Sequence, residues 1–223
     1  MTKYQIISIE GNIGSGKSTL LEILKEHYNQ NNQNNKNIVF IDEPVEVWAS
    51  IKDESGKTML QLFYEDKEHS FAFQMMAAFS LYNAFKNAKK NNPEAKIFIT
   101  ERSLQTTRYV FANMLYDGGF IKDVNMQVYK LWFEGFADDY SLDKIIYVKT
   151  SPTVCYNRII QRSRTGEDSI PLKYLENCDN YHETKLIPRF TQESILELDG
   201  NLNIHDQSIT NNAIRQIDEF IKL

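Results

Sequence analysis

Nine consecutive residues carry the most specific chemistry in this chain. Gly11-Asn12-Ile13-Gly14-Ser15-Gly16-Lys17-Ser18-Thr19 fits the phosphate-loop spacing G-x-x-x-x-G-K-[ST]. Glycines at these positions let backbone N–H groups crowd around phosphate oxygens, and a helix N-terminus behind them adds positive potential. The Lys17 ammonium suits the β- and γ-phosphates, and the Ser18 hydroxyl suits a Mg²⁺ ion. The run before the loop, Tyr4 to Ile9, has the composition of a buried strand, and the run after it, Thr19 to His27, has helical apolar spacing. Strand, glycine loop and helix in that order predict a nucleoside triphosphate site.

Two further charged groups fall at the ends of expected strands. Asp42-Glu43-Pro44 follows Ile38 to Ile41, and Glu101-Arg102-Ser103 follows Lys96 to Thr100. A carboxylate beside a hydroxyl can take its proton as the oxygen attacks phosphorus, and a second carboxylate can help hold the metal. Arg158, Arg162 and Arg164 form a basic cluster around Gly166. Planar guanidiniums meet phosphate oxygens bidentately and keep their charge, so this cluster predicts a mobile, Arg-rich lid over residues 158–170. Such a lid expels water from the triphosphate.

The elements that must position these groups alternate along the chain. Strands are expected at residues 4–9, 38–41, 96–100, 144–148 and 194–198. Helices are expected after the phosphate loop and over 70–90, 107–116, 124–136 and 210–221, with another starting at Ser151-Pro152, where proline suits the first helical position. In the long helix, Phe71, Met75, Ala78 and Tyr82 share one face. Alternation of this kind predicts an α/β fold, a five-stranded parallel sheet covered by helices on both faces. Ligands then sit beyond the carboxyl ends of the strands, where the charged motifs fall. A length of 223 residues is expected to form a single domain. Asn29 to Asn37, six of nine residues being Asn, reads as a solvated loop.

Taken together, the phosphate loop, Glu43-Pro44-Val45 with Trp48, Phe73-Gln74, Glu101-Arg102-Ser103 with Arg108-Tyr109, and Arg162-Ser163-Arg164 followed by Ile170-Pro171-Leu172-x-Tyr174-Leu175-Glu176 resemble the cellular deoxyribonucleoside kinases. The likeness runs in order from Ile6 to Asp199. It implies a P-loop kinase that moves a phosphoryl group from ATP to the 5′-hydroxyl of a deoxyribonucleoside, in nucleotide salvage. By the same resemblance Glu43 is the general base and Arg102 meets the 5′-hydroxyl and the phosphates. Glu101 joins Ser18 at Mg²⁺. Tyr64 and Glu167 hold the sugar 3′-hydroxyl, Gln74 reads the base edge, and Trp48, Phe73 and Phe111 wall the base. Arg158, Arg162 and Arg164 serve the transferring phosphoryl group. The loop Asp199 to Ile204 corresponds to the one that cups the donor adenine, with Ile204 in place of the family's aromatic residue. The family is homodimeric, and a homodimer is expected here.

Departures from the family's pattern bear on specificity. The deoxycytidine and deoxyguanosine kinases carry an Arg and an Asp near the base, where this chain has Leu81 and Thr107. Thymidine-accepting members have apolar or small residues there, although alanine rather than threonine at the second position. Ala77 leaves room for a thymine methyl group. Without a charged pair the cleft is larger and less polar. The expected substrates are pyrimidine deoxynucleosides, thymidine included.

Other classes fit less of the chain. A nucleoside monophosphate kinase such as a thymidylate kinase shares the phosphate loop and lid but needs basic residues to receive a substrate phosphate. A guanine-nucleotide switch needs an Asn/Thr-Lys-x-Asp motif, and the sequence has none. A net charge of −5 argues against a nucleic-acid-coating surface. No apolar run reaches membrane-spanning length. Cys155 and Cys178 lack metal-type spacing, which with an N-terminus leading straight into the first strand suggests a reduced, cytoplasmic setting without a targeting peptide.

Overall fold

The computed structural model describes residues 4–31, 37–136, 138–163 and 170–221. Five strands, β1 (Gln5–Glu10), β2 (Ile38–Ile41), β3 (Ile97–Glu101), β4 (Lys144–Lys149) and β5 (Ile195–Asp199), form one sheet in the order β2-β3-β1-β4-β5. Every pairing is parallel. Buried on both faces, β1 reads as a near-continuous apolar run, as a central parallel strand must.

The pleat divides the core. Ile6 and Phe98 point into a cluster with the long helix α4 (Ser70–Asn91) and with α7 (Asp123–Phe136). Ile7, Ile9, Ile97 and Ile99 point to the other face, against α1 (Lys17–Asn31) and α10 (Gln207–Ile221). Ile145 and Tyr147 on β4 meet Cys155 and Ile159 of α8 (Pro152–Arg162) and Leu175 of α9 (Leu172–Tyr181). The expected five-stranded parallel α/β architecture is the one found.

Several details differ from the sequence-based expectation. Two short helices, α2 (Val45–Ser50) and α3 (Met59–Glu65), precede α4 and were not signalled by periodicity, because each is only one to two turns long. A capping box on Thr58 and Gln61 starts α3. The helix expected from Thr107 starts earlier, as α5 (Leu104–Thr106), widens into a π-turn over Thr107–Ala112 and resumes as α6 (Asn113–Asp117). On α4, Phe71 and Met75 are only partly buried, whereas Phe73, Gln74, Ala77 and Leu81 are buried. That second stripe faces a cavity rather than the sheet. Arg164, Glu167 and the rest of residues 164–169 in the expected lid lie outside the described residues, as does most of the Asn-rich stretch.

Candidate active site

The phosphate loop joins β1 to α1. Gly11 has φ +145°, and a Cβ there would lie 2.6 Å from the Val148 carbonyl oxygen; Gly14 has φ +78°, and a Cβ would lie 2.7 Å from that of Cys155. Both backbone conformation and space therefore demand glycine. Thr150 and Arg158 donate to the Ser15 carbonyl, each at 3.1 Å, which braces the loop from β4 and α8. The Asn12 side chain donates to the Leu175 carbonyl at 2.8 Å, tying the loop to α9. With no acidic residue in its first turn, α1 keeps its N-terminal potential for an anion.

Lys17 is buried, its Nζ donating to the Asn12 carbonyl at 2.6 Å. Burial and the neighbouring Arg102 guanidinium pull its pKa down to about 8. Ser18 Oγ donates to Glu101 Oε1 at 2.6 Å. Arg102 Nε donates to Glu43 Oε1 at 2.6 Å, and its fork also meets the Gly11 carbonyl at 3.3 Å and the face of Phe111, 5.0 Å away. Burial and the nearby Glu43 push the Glu101 carboxyl above its usual range. Arg102 holds a left-handed backbone, φ +64°, unusual for a residue with a side chain. The Thr100 hydroxyl donates to the Arg102 carbonyl at 2.7 Å and the Arg102 N–H to the Ile9 carbonyl at 3.1 Å, which fixes that conformation.

These groups end a cavity of about 360 Å³, within the range of small-molecule sites. Its floor carries Lys17, Ser18, Glu43, Glu101 and Arg102, and its far end Trp48, Tyr64, Phe73, Gln74, Ala77, Leu81, Thr107 and Phe111. All of these expected site residues come together, with Arg162 at the rim. Trp48 Nε1 donates to Ser80 Oγ at 2.8 Å and meets Phe73 edge-on, while Phe73 stacks on Phe63 with centroids 4.6 Å apart. Gln74 is 2% exposed, and its Oε1 has no hydrogen-bond partner among the described residues. An orphaned amide oxygen in an apolar cavity is costly unless a ligand completes it.

A second cavity, about 400 Å³, opens on the other side of the loop. Gly14, Ser15, Gly16 and Thr19 line it with Arg158, Arg162 and the loop Asp199 to Ile204. Ile13 lines the first cavity only, and among the described residues Gly11 and Asn12 line neither, serving as the loop's anchors instead. Asn201 shapes the loop, accepting from the Ser151 N–H at 2.9 Å, and Leu202 accepts from Arg158 at 3.4 Å.

Sequence reasoning passed over Glu10. Fully buried at the end of β1, it accepts from Ser8 at 2.6 Å and from Ser103 and Thr106 at 2.5 Å each. A carboxylate at the end of an apolar central strand was the signal.

A phosphate loop at the carboxyl end of the central strand, with a cavity on either side of it, is the arrangement of a P-loop phosphotransferase. The model of the deoxynucleoside kinase family matches residues 7–222. The chain is 32% identical to deoxycytidine kinase of Mus musculus over 99% of its own length and 92% of that protein. It is 35% identical to deoxycytidine kinase 1 of Xenopus laevis over 98% and 91%, and 32% identical to mitochondrial thymidine kinase 2 of Macaca fascicularis over 83% and 65%. The chain belongs to the deoxynucleoside kinase family and is an enzyme of that kind, with ATP as the donor the family implies.

Proposed function

We propose that the chain transfers the γ-phosphoryl group of ATP to the 5′-hydroxyl of pyrimidine deoxynucleosides, thymidine among them. The observation that carries this reading is the orphaned Gln74 amide oxygen in an aromatic-walled cavity whose other end holds Glu43 and Arg102. An amide offers one acceptor and two donors, so by flipping it matches a cytosine-like or a thymine-like edge. Trp48, Phe73 and Phe111 then flank the base. Leu81 and Thr107 add no charge beside it, and Ala77 leaves space for a methyl group. The sugar 3′-hydroxyl falls to Tyr64 together with Glu167.

In the reaction Glu43 accepts the proton of the 5′-hydroxyl as its oxygen bonds to the γ-phosphorus, and the bond from that phosphorus to the bridging oxygen breaks to release ADP. Arg102 orients Glu43 and faces the developing charge. Lys17, Arg162 and Arg164 stabilise the transferring group, Arg158 joins them on the donor side, and the backbone of the phosphate loop holds the β-phosphate. The hydroxyl of Ser18 and the carboxylate of Glu101 form an oxygen donor pair that would hold Mg²⁺. When bound, the ion neutralises charge on the β- and γ-oxygens. The adenine falls in the second cavity, beside Asp199 to Ile204. We also propose a homodimer: the outer face of α7 leaves Val124, Val128 and Leu131 exposed, with Phe79 of α4 also exposed.

The test is one panel: ATP and Mg²⁺ with thymidine, deoxycytidine, deoxyadenosine, deoxyguanosine and thymidine monophosphate. The reading expects thymidine and deoxycytidine to be consumed fastest. Preference for purines overturns the pyrimidine assignment, and turnover of the monophosphate alone overturns the acceptor assignment.

A further inference from the structure

Lys67 sits where two walls of the acceptor cavity meet. Its Nζ lies 3.9 Å from the ring centroid of Phe63, 5.0 Å from that of Tyr64 and 5.3 Å from that of Tyr174. It donates to the Phe63 carbonyl at 3.2 Å. Phe63 and Tyr64 belong to α3, Tyr174 to the first turn of α9, and the two tyrosine rings meet edge-on at 6.3 Å. No carboxylate among the described residues acts on this ammonium, and burial holds its pKa below the ordinary lysine value. A cation held over aromatic faces gains most when it is desolvated. The three rings form a cage, and the protein fills it with its own lysine.

The helix that supplies Tyr174 is also the one fastened to the phosphate loop, through Asn12 and the Leu175 carbonyl. One side of α9 is thus fixed to the loop and the other reaches Tyr64 across the cage. We propose that Lys67 is a positioning residue for the acceptor: its ammonium joins the Tyr64 wall to the Tyr174 wall and so holds Tyr64 in place at the sugar end of the cavity. The inference rests on the reading of Tyr64 as a partner of the sugar 3′-hydroxyl. Without the cation, Tyr64 keeps its hydroxyl but is no longer held in place to bind the sugar.

The experiment compares wild type with Lys67→Met, which keeps the apolar stem, and Lys67→Arg, which keeps the charge. Each is assayed with the preferred deoxynucleoside and with its 2′,3′-dideoxy counterpart. Lys67→Met is expected to raise KM for the deoxynucleoside about 3- to 30-fold, from the cation–π range at tenfold per 1.4 kcal/mol, with kcat nearly unchanged. KM for the dideoxy substrate, which has no 3′-hydroxyl to place, should hardly move, and Lys67→Arg should restore most of the loss. Should Lys67→Met fail to fold, Tyr174→Leu removes the face of the cage on α9 and carries the same comparison. An unchanged KM, an equal rise for both substrates, or a fall in kcat alone overturns the proposal. Tyr64→Phe separates the two levels. If it does not discriminate between the substrates, the reading of Tyr64 fails; if it does and Lys67→Met does not, only the role of Lys67 fails.

Discussion

The Tyr129 hydroxyl donates to Thr107 Oγ1 at 3.0 Å, and the Thr107 hydroxyl in turn donates to the Leu104 carbonyl at 2.8 Å. Thr107 therefore has no hydrogen left to offer a base, although it lines the acceptor cavity. An aspartate in its place would keep the hydrogen bond from buried Tyr129 and present a charge. Leu81→Arg together with Thr107→Asp is expected to move preference from thymidine toward deoxycytidine or purines. The change in the ratio of kcat/KM values should be roughly 10- to 200-fold, the worth of a methyl-sized misfit. Each single change should be worse than the pair, since a lone buried charge goes unpaired. An unchanged thymidine to deoxycytidine ratio in the double variant removes the base from this corner.

Glu43→Gln keeps the shape of a side chain already held by Arg102 but cannot accept a proton. Turnover should fall by about 10²- to 10⁴-fold while nucleoside affinity, measured by calorimetry, stays close to wild type. A variant retaining half its turnover at saturating substrate would refute the base assignment.

Lys17 is expected to make donor binding pH-dependent. Its pKa in the free enzyme lies near 8, so the ammonium is charged below that pH and neutral above it. A triphosphate favours the charged form, so ATP binding above pH 8 should take up a proton and weaken by up to about tenfold per pH unit. Calorimetry at pH 8.5 in buffers of different ionisation enthalpy measures the uptake. Lys17→Met should abolish it; uptake that persists in this variant assigns the titration elsewhere.

Glu10→Gln replaces one of two acceptor oxygens with a donor amide facing hydroxyls that already donate. A buried polar group left unpaired costs about 1–3 kcal/mol, which for a chain of this length lowers Tm by several degrees. Because Ser103 caps α5 through the Thr106 N–H at 3.2 Å, kcat/KM should fall as well. Thermal unfolding and steady-state kinetics on the same sample check both.

Leu131, 74% exposed on α7, tests the association state. Leu131→Glu should convert a dimer to a monomer in sedimentation velocity without loss of helical content. A wild-type chain that sediments as a monomer ends the dimer proposal.

What could be read from the chain before its structure depended on how local each feature is. The phosphate loop was legible because its chemistry needs nine contiguous residues. The strands were legible because a central parallel strand such as Ile6 to Ile9 must be largely apolar, broken here only by Ser8. Glu43, Gln74 and Arg102 were legible through short motifs beside them, and they meet in one cavity. The role of Glu10 was hidden, since its partners Ser103 and Thr106 lie more than ninety residues away and no local pattern records such a pairing. The cage around Lys67 was hidden for the same reason, Tyr174 arriving from a different helix. The π-turn over Thr107–Ala112 had no signal in periodicity, because one widened turn barely shifts the apolar spacing.

The order of the strands has a consequence for biosynthesis. Gln5 pairs with Ile97 on one side, and Ile7 with Lys144 on the other. β1 thus has no neighbour in the sheet until β3 has been made, a wait of about 5–20 s at ordinary translation rates. Throughout that interval Ile6, Ile7 and Ile9 have no sheet to enter, and such a segment is a target for misassembly or for a chaperone. The glycine turn that follows it gains a floor only when Val148 and Cys155 emerge. A truncated nascent chain ending before β4 should therefore carry the whole nucleotide motif and still be unable to retain nucleotide.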